Sequence, residues 1–372
     1  MTTLSIVIPC YNESRTLSDC VDAVRLIADD ALNLEIVIVD DASTDDSAAI
    51  AASIASADPR VTVCRHPINR GKGAALRTGF EHCTGEIVAV QDADLEYDPN
   101  DLKRLVVPII DGRADVVFGS RYLTTNAHRV LHFWHTMGNR ALTTFSNMMT
   151  DMNLTDMETC YKLFRREIIQ SIHLCETRFG FEPEVVAKIA DRRLSVYEMG
   201  ISYDGRTYAD GKKIGIRDGI RALYCIVRYN GHRTSLPIQL ALYLIVGVVA
   251  ALVNLALFLS LYRGGASVAF AAGIAFGVAA AVNYLLCVKT IFRRNSRFST
   301  PWELAAFAVV VIVVAVVDVG ATVGLIRAGV SAPMAKCVAT IVAAVLNFLG
   351  RRHLVFRTVP RGPWRARPKE QR

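Results

Sequence analysis

The sequence predicts an α/β domain with a mostly parallel sheet, followed by an all-α membrane domain of four transmembrane helices. Two observations lead to this prediction. Residues 1–233 alternate short apolar runs with charged stretches of helical period, which is typical of a parallel sheet covered by helices on both faces. From residue 234 onward there are four long runs almost free of charge, each near the roughly 20 residues that a helix needs to cross a bilayer.

Five short apolar runs in the first part have the length and composition of buried strands. They are residues 4–8, 35–39, 61–64, 86–91 and 115–120. Stretches of helical period lie between them, at residues 17–29, 47–57 and 74–82. Ligands of such sheets bind at the carboxyl ends of the strands, so the functional residues should directly follow the apolar runs.

Polar clusters do follow three of these runs, at residues 9–13, 40–45 and 91–96. The third cluster, Asp92-Ala93-Asp94-Leu95-Glu96, has a carboxylate at every second position. On an extended segment these carboxylates point the same way. Oxygen ligands suit Mg²⁺ or Mn²⁺, which would also bind a diphosphate. A solvated acidic turn before Pro99 is the alternative interpretation.

The segment Asn69-Arg70-Gly71-Lys72-Gly73 opens a helix and is a candidate cradle for phosphate. It lacks the GxxxxGK pattern followed by Ser or Thr, which argues against a P-loop NTPase.

The four uncharged runs predict transmembrane spans at about residues 236–262, 266–288, 303–326 and 333–353. Basic residues concentrate after the second run and in the C-terminal tail, so the positive-inside rule places both termini in the cytosol. The net charge of +7 therefore favours anionic lipid as a partner and not nucleic acid. The first residues carry no basic region typical of a signal peptide, and nine scattered cysteines fit a reduced compartment.

The membrane part repeats itself at an offset of 64 residues, which aligns Arg263 with Arg327 and Gly265 with Gly329. This predicts two tandem helical hairpins related as parallel repeats. Four polar residues lie within the apolar runs in matching pairs, Asn254 with Asp318 and Asn283 with Asn347. They either form interhelical hydrogen bonds or line a path for a polar lipid head.

Several ordered motifs over about residues 4–230 resemble the family 2 glycosyltransferases, which have a Rossmann-like GT-A fold. The motifs are Ile8-Pro9-Cys10-Tyr11-Asn12-Glu13, Val39-Asp40-Asp41-Ala42-Ser43-Thr44-Asp45, Gln91-Asp92-Ala93-Asp94, Phe118-Gly119-Ser120-Arg121-Tyr122, Gly138-Asn139-Arg140, Asp156-Met157-Glu158-Thr159-Cys160-Tyr161-Lys162 and Tyr203-Asp204-Gly205-Arg206-Thr207. The set is similar to polyprenyl-phosphate sugar synthases of the dolichyl-phosphate mannose synthase type. The four-span part resembles the GtrA-like membrane family. The Gln-x-x-Arg-Trp motif of processive synthases is absent, which argues against a polymerase.

These patterns and the resemblance divide the chain into four parts. They are a cytosolic GT-A domain at residues 1–210, with an interfacial amphipathic helix at about 128–149; a second interfacial helix at 211–233; a GtrA-like transmembrane domain at 234–357; and a basic cytosolic tail at 358–372.

The resemblance also implies roles for individual residues. Nucleotide-sugar binding falls to Pro9, Tyr11, Glu13, Asp40 and Asp92. The metal ligands are Asp92, Asp94 and Glu96. Binding of the acceptor phosphate falls to Arg121, Arg140, Arg206, Lys212 and Lys213, and the catalytic set is Asp94, Arg121, Arg140 and Arg206.

The function implied by the resemblance is that of an inverting glycosyltransferase bound to the plasma membrane. It would move a hexose from a nucleotide diphosphate sugar to polyprenyl or dolichyl phosphate on the cytosolic leaflet, using Mg²⁺ or Mn²⁺. GDP-mannose and UDP-glucose are the leading donors, followed by UDP-N-acetylhexosamines. The alternative is a transport protein that flips a glycolipid, with the soluble domain as an accessory. Assembly into a homo-oligomer is left open.

Overall fold

The computed structural model describes residues 1–123, 129–205, 215–292, 299–356 and 364 of the 372-residue chain. The chain forms two compact units, the first built mainly from Met1–Ile226 and the second lying within Val227–Arg361.

The first unit contains one seven-stranded sheet. Its strands are β1 (Thr2–Cys10), β2 (Leu32–Asp40), β3 (Val61–Arg65), β4 (Ile87–Val90), β5 (Val116–Ser120), β6 (Lys162–Arg165) and β7 (Val196–Gly200). Their order across the sheet is β3-β2-β1-β4-β6-β5-β7. Among these strands β6 is antiparallel to both neighbours, and the other pairs are parallel. The mostly parallel sheet predicted from the sequence is therefore confirmed.

Helices connect these strands. They are α1 (Leu17–Arg25), α2 (Ser47–Ala57), α3 (Lys72–His82), α4 (Asn100–Leu105), α5 (Val107–Ile110), α6 (Phe133–Thr150), α7 (Arg166–Ser171), α8 (Phe181–Arg192) and α9 (Ile216–Asn230). The inner strand β1 is buried on both faces, with Ile6, Val7 and Ile8 fully inaccessible to solvent. Such continuous apolar runs are typical of parallel sheets covered on both sides.

The strand order reverses at β1, because β2 lies on one side of it and β4 on the other. Ligands of open α/β sheets bind in the crevice at such a reversal. The loops at this edge adopt unusual backbone conformations, with a positive φ at Asn12 (56°), Ala42 (61°) and Leu95 (60°). The first two loops are also joined, because Ser43 Oγ accepts from the Asn12 amide at 3.0 Å and Asn12 Oδ1 accepts from the Thr44 amide at 2.8 Å. The loops at this edge of the sheet therefore have a defined conformation, and the edge is the one where the sequence predicts the site.

Two helices of the first unit expose apolar side chains. On α6, Phe133 and Trp134 are 63% and 81% exposed. On α9, Ile220 is 62% exposed, while Cys225 and Ile226 on another face are buried. These helices lie within the two segments predicted to be amphipathic, of which residues 128 and 211–214 are outside the described residues. Exposed apolar faces of this kind mark a surface that binds a partner or a membrane.

The second unit consists of long apolar helices. They are α10 (Leu236–Arg263), α11 (Val268–Leu286), α12 (Thr300–Arg327) and α13 (Ala332–Gly350), with π-helical turns at Cys287–Ile291 and Arg351–Val355. Within the described part of this unit, four helices are long and apolar enough to cross a membrane. Ile312 and Val316 on α12 are 63% and 68% exposed, a pattern that suits contact with lipid. The chain is a membrane protein, as its uncharged runs predict.

The internal repeat is confirmed by the element boundaries. α12, α13 and the second π-helical turn begin and end 64 residues after α10, α11 and the first turn, as in the alignment of Arg263 with Arg327. The glycines that follow the first helix of each hairpin, Gly265 and Gly329, have φ angles of 87° and 90°, a conformation that favours glycine. The repeat-related rings of Phe292 and Phe356 stack with their centroids 4.3 Å apart.

Two of the predicted intramembrane polar residues meet at a buried arginine. Arg351 Nη1 donates to Asn283 Oδ1 at 2.7 Å, and Arg351 Nε donates to Asn347 Oδ1 at 3.0 Å. Asn283 and Arg351 lie on different hairpins, so the contact is an interhelical hydrogen bond between the repeats. For this pair the structure supports the bonding role over a path for a lipid head.

Candidate active site

A cavity of about 550 Å³ lies at the reversal point of the sheet. Its walls come from the loops after β1, β2 and β4, from the start of α3, and from residues of α6 and α8. Seven of the residues predicted for the site line it, namely Pro9, Tyr11, Glu13, Asp92, Asp94, Glu96 and Arg121. The structure thus brings the first and third polar clusters to one space.

Other predicted residues lie elsewhere. Asp40 is fully buried below the cavity edge, where its Oδ1 accepts from the Ser43 amide at 3.1 Å, and the adjacent Asp41 lines the cavity instead. Arg140 is exposed on α6, with its guanidinium 5.4 Å from the centre of the Tyr122 ring. Arg206, Lys212 and Lys213 lie outside the described residues.

The carboxylates of Asp92, Asp94 and Glu96 reach the cavity by a different geometry from the one expected. Residues 92–96 form a turn and not an extended strand, because Leu95 adopts a left-handed conformation with φ 60°. Asp94 Oδ1 accepts from the Glu96 amide at 3.3 Å across this turn. The prediction of an extended segment is wrong, and the turn is what gathers the three side chains on one wall.

Asp92 is paired with Lys72, a lysine of the predicted phosphate cradle. Lys72 Nζ, in the first turn of α3, lies 2.8 Å from Asp92 Oδ1 and 3.7 Å from Glu182 Oε1. Burial opposes the charge of Lys72, but the carboxylates of Asp92 and Glu182 hold its pKa well above the ordinary value. A cationic side chain therefore bridges two acidic residues in the wall of the cavity.

Within the predicted phosphate cradle at residues 69–73, a carboxylate of the protein already binds two of the backbone amides. The amides of Arg70 and Gly71 donate to Asp41 at 2.9 and 2.6 Å. His66 Nδ1 lies 2.6 Å from the same carboxylate. The amides of Arg70 and Gly71, just before α3, are thus satisfied by the anionic side chain of Asp41 and are not available to a phosphate.

Arg121 is held in a buried ion pair. Its Nε and Nη2 donate to the two oxygens of Asp156 at 2.7 and 2.8 Å, and both side chains are nearly inaccessible to solvent. Burial opposes the charged form, but Asp156 holds the pKa of Arg121 well above its ordinary value. One bidentate edge of Arg121 is therefore occupied by Asp156, so this edge cannot also hold a phosphate.

Two further acidic residues in the lining, Glu158 and Glu182, were missed as site residues. Burial and the charge of Glu182 raise the pKa of Glu158 to about 8. Glu158 lies within residues 156–162, a segment that resembles family 2 glycosyltransferases, so the sequence carried a signal for it. Glu182, at the start of α8, is 90 residues from Asp92 and has no local pattern that marks it.

The residues of the cavity fit a metal ion that arrives with a ligand. Across the part of the chain that the structure describes, no three His, Cys, Asp or Glu side chains are close enough to hold a metal by themselves. Mg²⁺ is commonly held by one or two carboxylates together with phosphate oxygens and waters. Asp92 and Asp94 supply two such carboxylates in one wall.

Each of the two units matches the profile of a known protein family. The glycosyl transferase family 2 profile matches residues 5–172, and the profile of the GtrA/DPMS transmembrane domain matches residues 242–356.

Individual proteins show the same likeness. The chain is 30% identical over 217 residues to the polyprenol monophosphomannose synthase of Mycolicibacterium smegmatis, a match that covers 56% of this chain and 80% of that protein. It is 28% identical over 239 residues to the low-salt glycan biosynthesis hexosyltransferase Agl6 of Haloferax volcanii, a match that covers 63% of this chain but only 56% of that protein. The solved structure of glucosyl-3-phosphoglycerate synthase from Mycobacterium tuberculosis with Mn²⁺ and uridine diphosphate aligns with a TM-score of 0.49 and 19% identity, over 62% of this chain and 79% of its own.

Proposed function

The chain belongs to glycosyl transferase family 2 and carries a GtrA/DPMS transmembrane domain, and on that premise we propose that it transfers a hexose from a nucleotide diphosphate sugar to polyprenyl phosphate. The observation that carries the proposal is the acidic cavity at the reversal point of the sheet. A relative named for polyprenol monophosphomannose synthesis supports the lipid phosphate as acceptor.

The donor lies with its nucleotide against the loop after β1 and its diphosphate toward the turn after β4. Pro9, Tyr11 and Glu13 form the first of these walls, and Asp92 and Asp94 form the second. Asp92 and Asp94 would hold a Mg²⁺ or Mn²⁺ ion, which supplies charge neutralisation for the departing nucleotide diphosphate. GDP-mannose and UDP-glucose are the donors to test first.

The acceptor needs positioning more than activation. A phosphate monoester has a second pKa near 6, so at neutral pH it is largely a dianion and already nucleophilic. Attack in line with the leaving group inverts the configuration at the anomeric carbon. We assign its positioning to Arg140, and to Arg206, Lys212 and Lys213 outside the described residues. Arg121, being paired with Asp156, acts mainly by fixing the cavity wall.

The exposed apolar side chains of α6 and α9 support a position of the first unit at a bilayer surface. Trp134 and Ile220 expose apolar side chains to solvent, and basic residues occur in both of their helices. This pattern is typical of helices that lie at a membrane interface. Basic residues flanking the apolar helices support a cytosolic first unit and cytosolic termini. The protein is then a multi-pass plasma-membrane enzyme that works on the cytosolic leaflet.

The decisive experiment is a donor panel with radiolabelled sugars, polyprenyl phosphate and the full-length protein in detergent. We expect a lipid-linked monosaccharide that mild acid releases, and no polymer. Transfer to unphosphorylated polyprenol at the same rate, or a growing polymer, would contradict the proposal. Absence of transfer from every nucleotide sugar would leave the glycolipid transporter as the better interpretation.

Replacing Arg140 with Ala should impair use of the lipid more than binding of the donor. Losing a charge-assisted hydrogen bond to phosphate costs about 1.5–3 kcal/mol, or roughly ten- to a hundredfold in kcat/KM for polyprenyl phosphate. Arg140→Lys should recover only part of this, because lysine lacks the bidentate fork. Nucleotide-sugar affinity is measured by calorimetry and lipid KM in detergent.

Arg113 offers a matched control for this variant, because it is an exposed arginine paired with Asp111 at 2.7 Å and is not among the cavity lining. Arg113→Ala should change neither the nucleotide-sugar affinity nor the KM for the lipid. Weaker donor binding in Arg140→Ala with unchanged lipid kinetics would disprove the acceptor role.

Cysteine labelling in intact cells should report the orientation. We expect cysteines at Gly264 and Ala328, equivalent positions at the ends of α10 and α12, to react with a membrane-impermeant maleimide. Neither position has a positive φ, so a side chain is accommodated. The partly exposed Cys64 in β3 should react only after the cells are opened. Protection at both helix ends together with labelling of Cys64 would reverse the proposed topology.

A further inference from the structure

We propose that Glu158 and Glu182 form the subsite that receives the hydroxyl groups of the transferred sugar, and that this subsite selects a neutral hexose. The inference rests on the proposed function, because it takes the cavity to be the donor site. Both residues line the same cavity as Asp92 and Asp94. A sugar attached to a diphosphate near the β4 turn would lie against this part of the wall.

Each of the two acidic residues has one carboxyl oxygen that makes no hydrogen bond to the described residues. Glu158 Oε1 and Glu182 Oε2 are both buried, and neither has a hydrogen-bond partner among the described residues. Glu182 as a whole is only 3% exposed. Buried polar atoms are almost always hydrogen-bonded in folded proteins, and each exception needs an explanation. Because both atoms belong to residues lining one cavity, a ligand that donates hydrogen bonds explains both.

A neighbouring acidic residue shows what a purely structural carboxylate looks like in this helix. Glu184, two residues further along α8, is fully buried, but its oxygens accept from the amides of Cys175 and Glu176 at 2.7–3.0 Å. It also pairs with Lys188 and is not among the cavity lining. Among the described residues Glu182 Oε2 has no donor, and Lys72 Nζ lies 3.7 Å from Glu182 Oε1.

The type of atom defines the type of ligand. Carboxyl oxygens without a partner suit hydroxyl groups, which donate to a carboxylate and also accept from a protonated carboxyl. The sugar ring is the part of a nucleotide sugar that carries several adjacent hydroxyls. A uronic acid has a carboxylate in place of one hydroxyl, so it brings a donor fewer and a like charge to Glu182. Lys72 lies between Glu182 and Asp92 and contacts both carboxylates. The residues proposed to bind the sugar are therefore adjacent to those proposed to bind the diphosphate.

The test compares a nucleotide with its sugar derivative on the full-length protein in detergent. Calorimetry with GDP, GDP-mannose, UDP and UDP-glucose first identifies the nucleotide that binds. In Glu182→Gln and Glu158→Gln we expect the affinity for the free nucleotide diphosphate to stay the same. The affinity for the nucleotide sugar should fall roughly ten- to a hundredfold in Glu182→Gln, the usual effect of losing a hydrogen bond to a charged group. The loss should be smaller in Glu158→Gln, because a carboxyl with a pKa of about 8 is mostly uncharged at neutral pH. Glu184→Gln should lower the melting temperature without changing the ratio of the two affinities.

A second arm tests the selection of neutral sugars. If UDP is the preferred nucleotide, wild-type protein should bind UDP-glucuronate more weakly than UDP-glucose. Glu182→Gln should reduce the difference between these two affinities. Equal losses of nucleotide and nucleotide-sugar affinity in the Gln variants, or no loss of either, would overturn the inference. Because binding needs no lipid, a protein that binds nucleotide sugars through Glu182 but transfers nothing to polyprenyl phosphate would refute the proposed function and leave the subsite standing.

Discussion

Asp94→Asn is expected to reduce turnover by at least about a hundredfold, because charge stabilisation of a leaving group by a metal contributes several kcal/mol and each 1.4 kcal/mol is a factor of ten in rate. Asp94 lies in the turn after β4 with its carboxylate in the cavity lining. Asparagine keeps the shape of the side chain and removes its charge, so the fold should be retained. Initial rates are measured at fixed Mg²⁺ or Mn²⁺ with the donor identified in the panel.

Asp92→Asn should reduce turnover at least as much as Asp94→Asn, but the loss would have two causes. Asp92 also pairs with the buried Lys72 at 2.8 Å, so the substitution leaves a buried cation with one anionic partner fewer. Asp98 offers the control, since it is exposed two residues beyond Glu96 and is not among the cavity lining. Asp98→Asn should keep full activity. Undiminished turnover in EDTA, or in both the Asp92 and Asp94 variants, would show that these carboxylates hold no metal.

The second large effect is expected on stability. Asp156→Ala leaves the guanidinium of Arg121 buried without its carboxylate, a change that typically costs about 3–5 kcal/mol. For a unit of this size that corresponds to a drop of roughly 6–20 °C in melting temperature. Thermal unfolding followed by tryptophan fluorescence in detergent measures it. Activity should fall in parallel, because the pair fixes a wall of the cavity.

A double replacement separates charge from packing. Arg121→Met with Asp156→Leu removes both charges and keeps an apolar filling, so much of the lost stability should return. The exposed pair of Arg113 and Asp111, whose side chains are 47% and 46% exposed, serves as the contrast. Asp111→Ala should cost less than about 1 kcal/mol. Equal effects of Asp156→Ala and Asp111→Ala would mean that burial of the first pair has no energetic consequence.

The sequence by itself determined the features that depend on local period and composition. Strands such as β1 and β2 were visible because both of their faces are apolar, and α2 was predicted with its observed bounds, Ser47–Ala57. The transmembrane helices and their repeat were visible for the same reason, since an uncharged run of sufficient length has few alternatives to a membrane span. The motifs after β1 and β4 also pointed to the edge of the sheet where the cavity lies.

The tertiary structure alone decided which partner each polar group has. The amides of Arg70 and Gly71, just before α3, donate to Asp41, about thirty residues earlier in the chain. Glu182 meets Lys72 and the cavity although 110 residues separate them. Period and composition report whether a side chain is buried, but a hydrogen bond or ion pair joins atoms that the strand order brings together. That order, β3-β2-β1-β4-β6-β5-β7, results from the packing of the whole sheet and is written in no single segment of the chain.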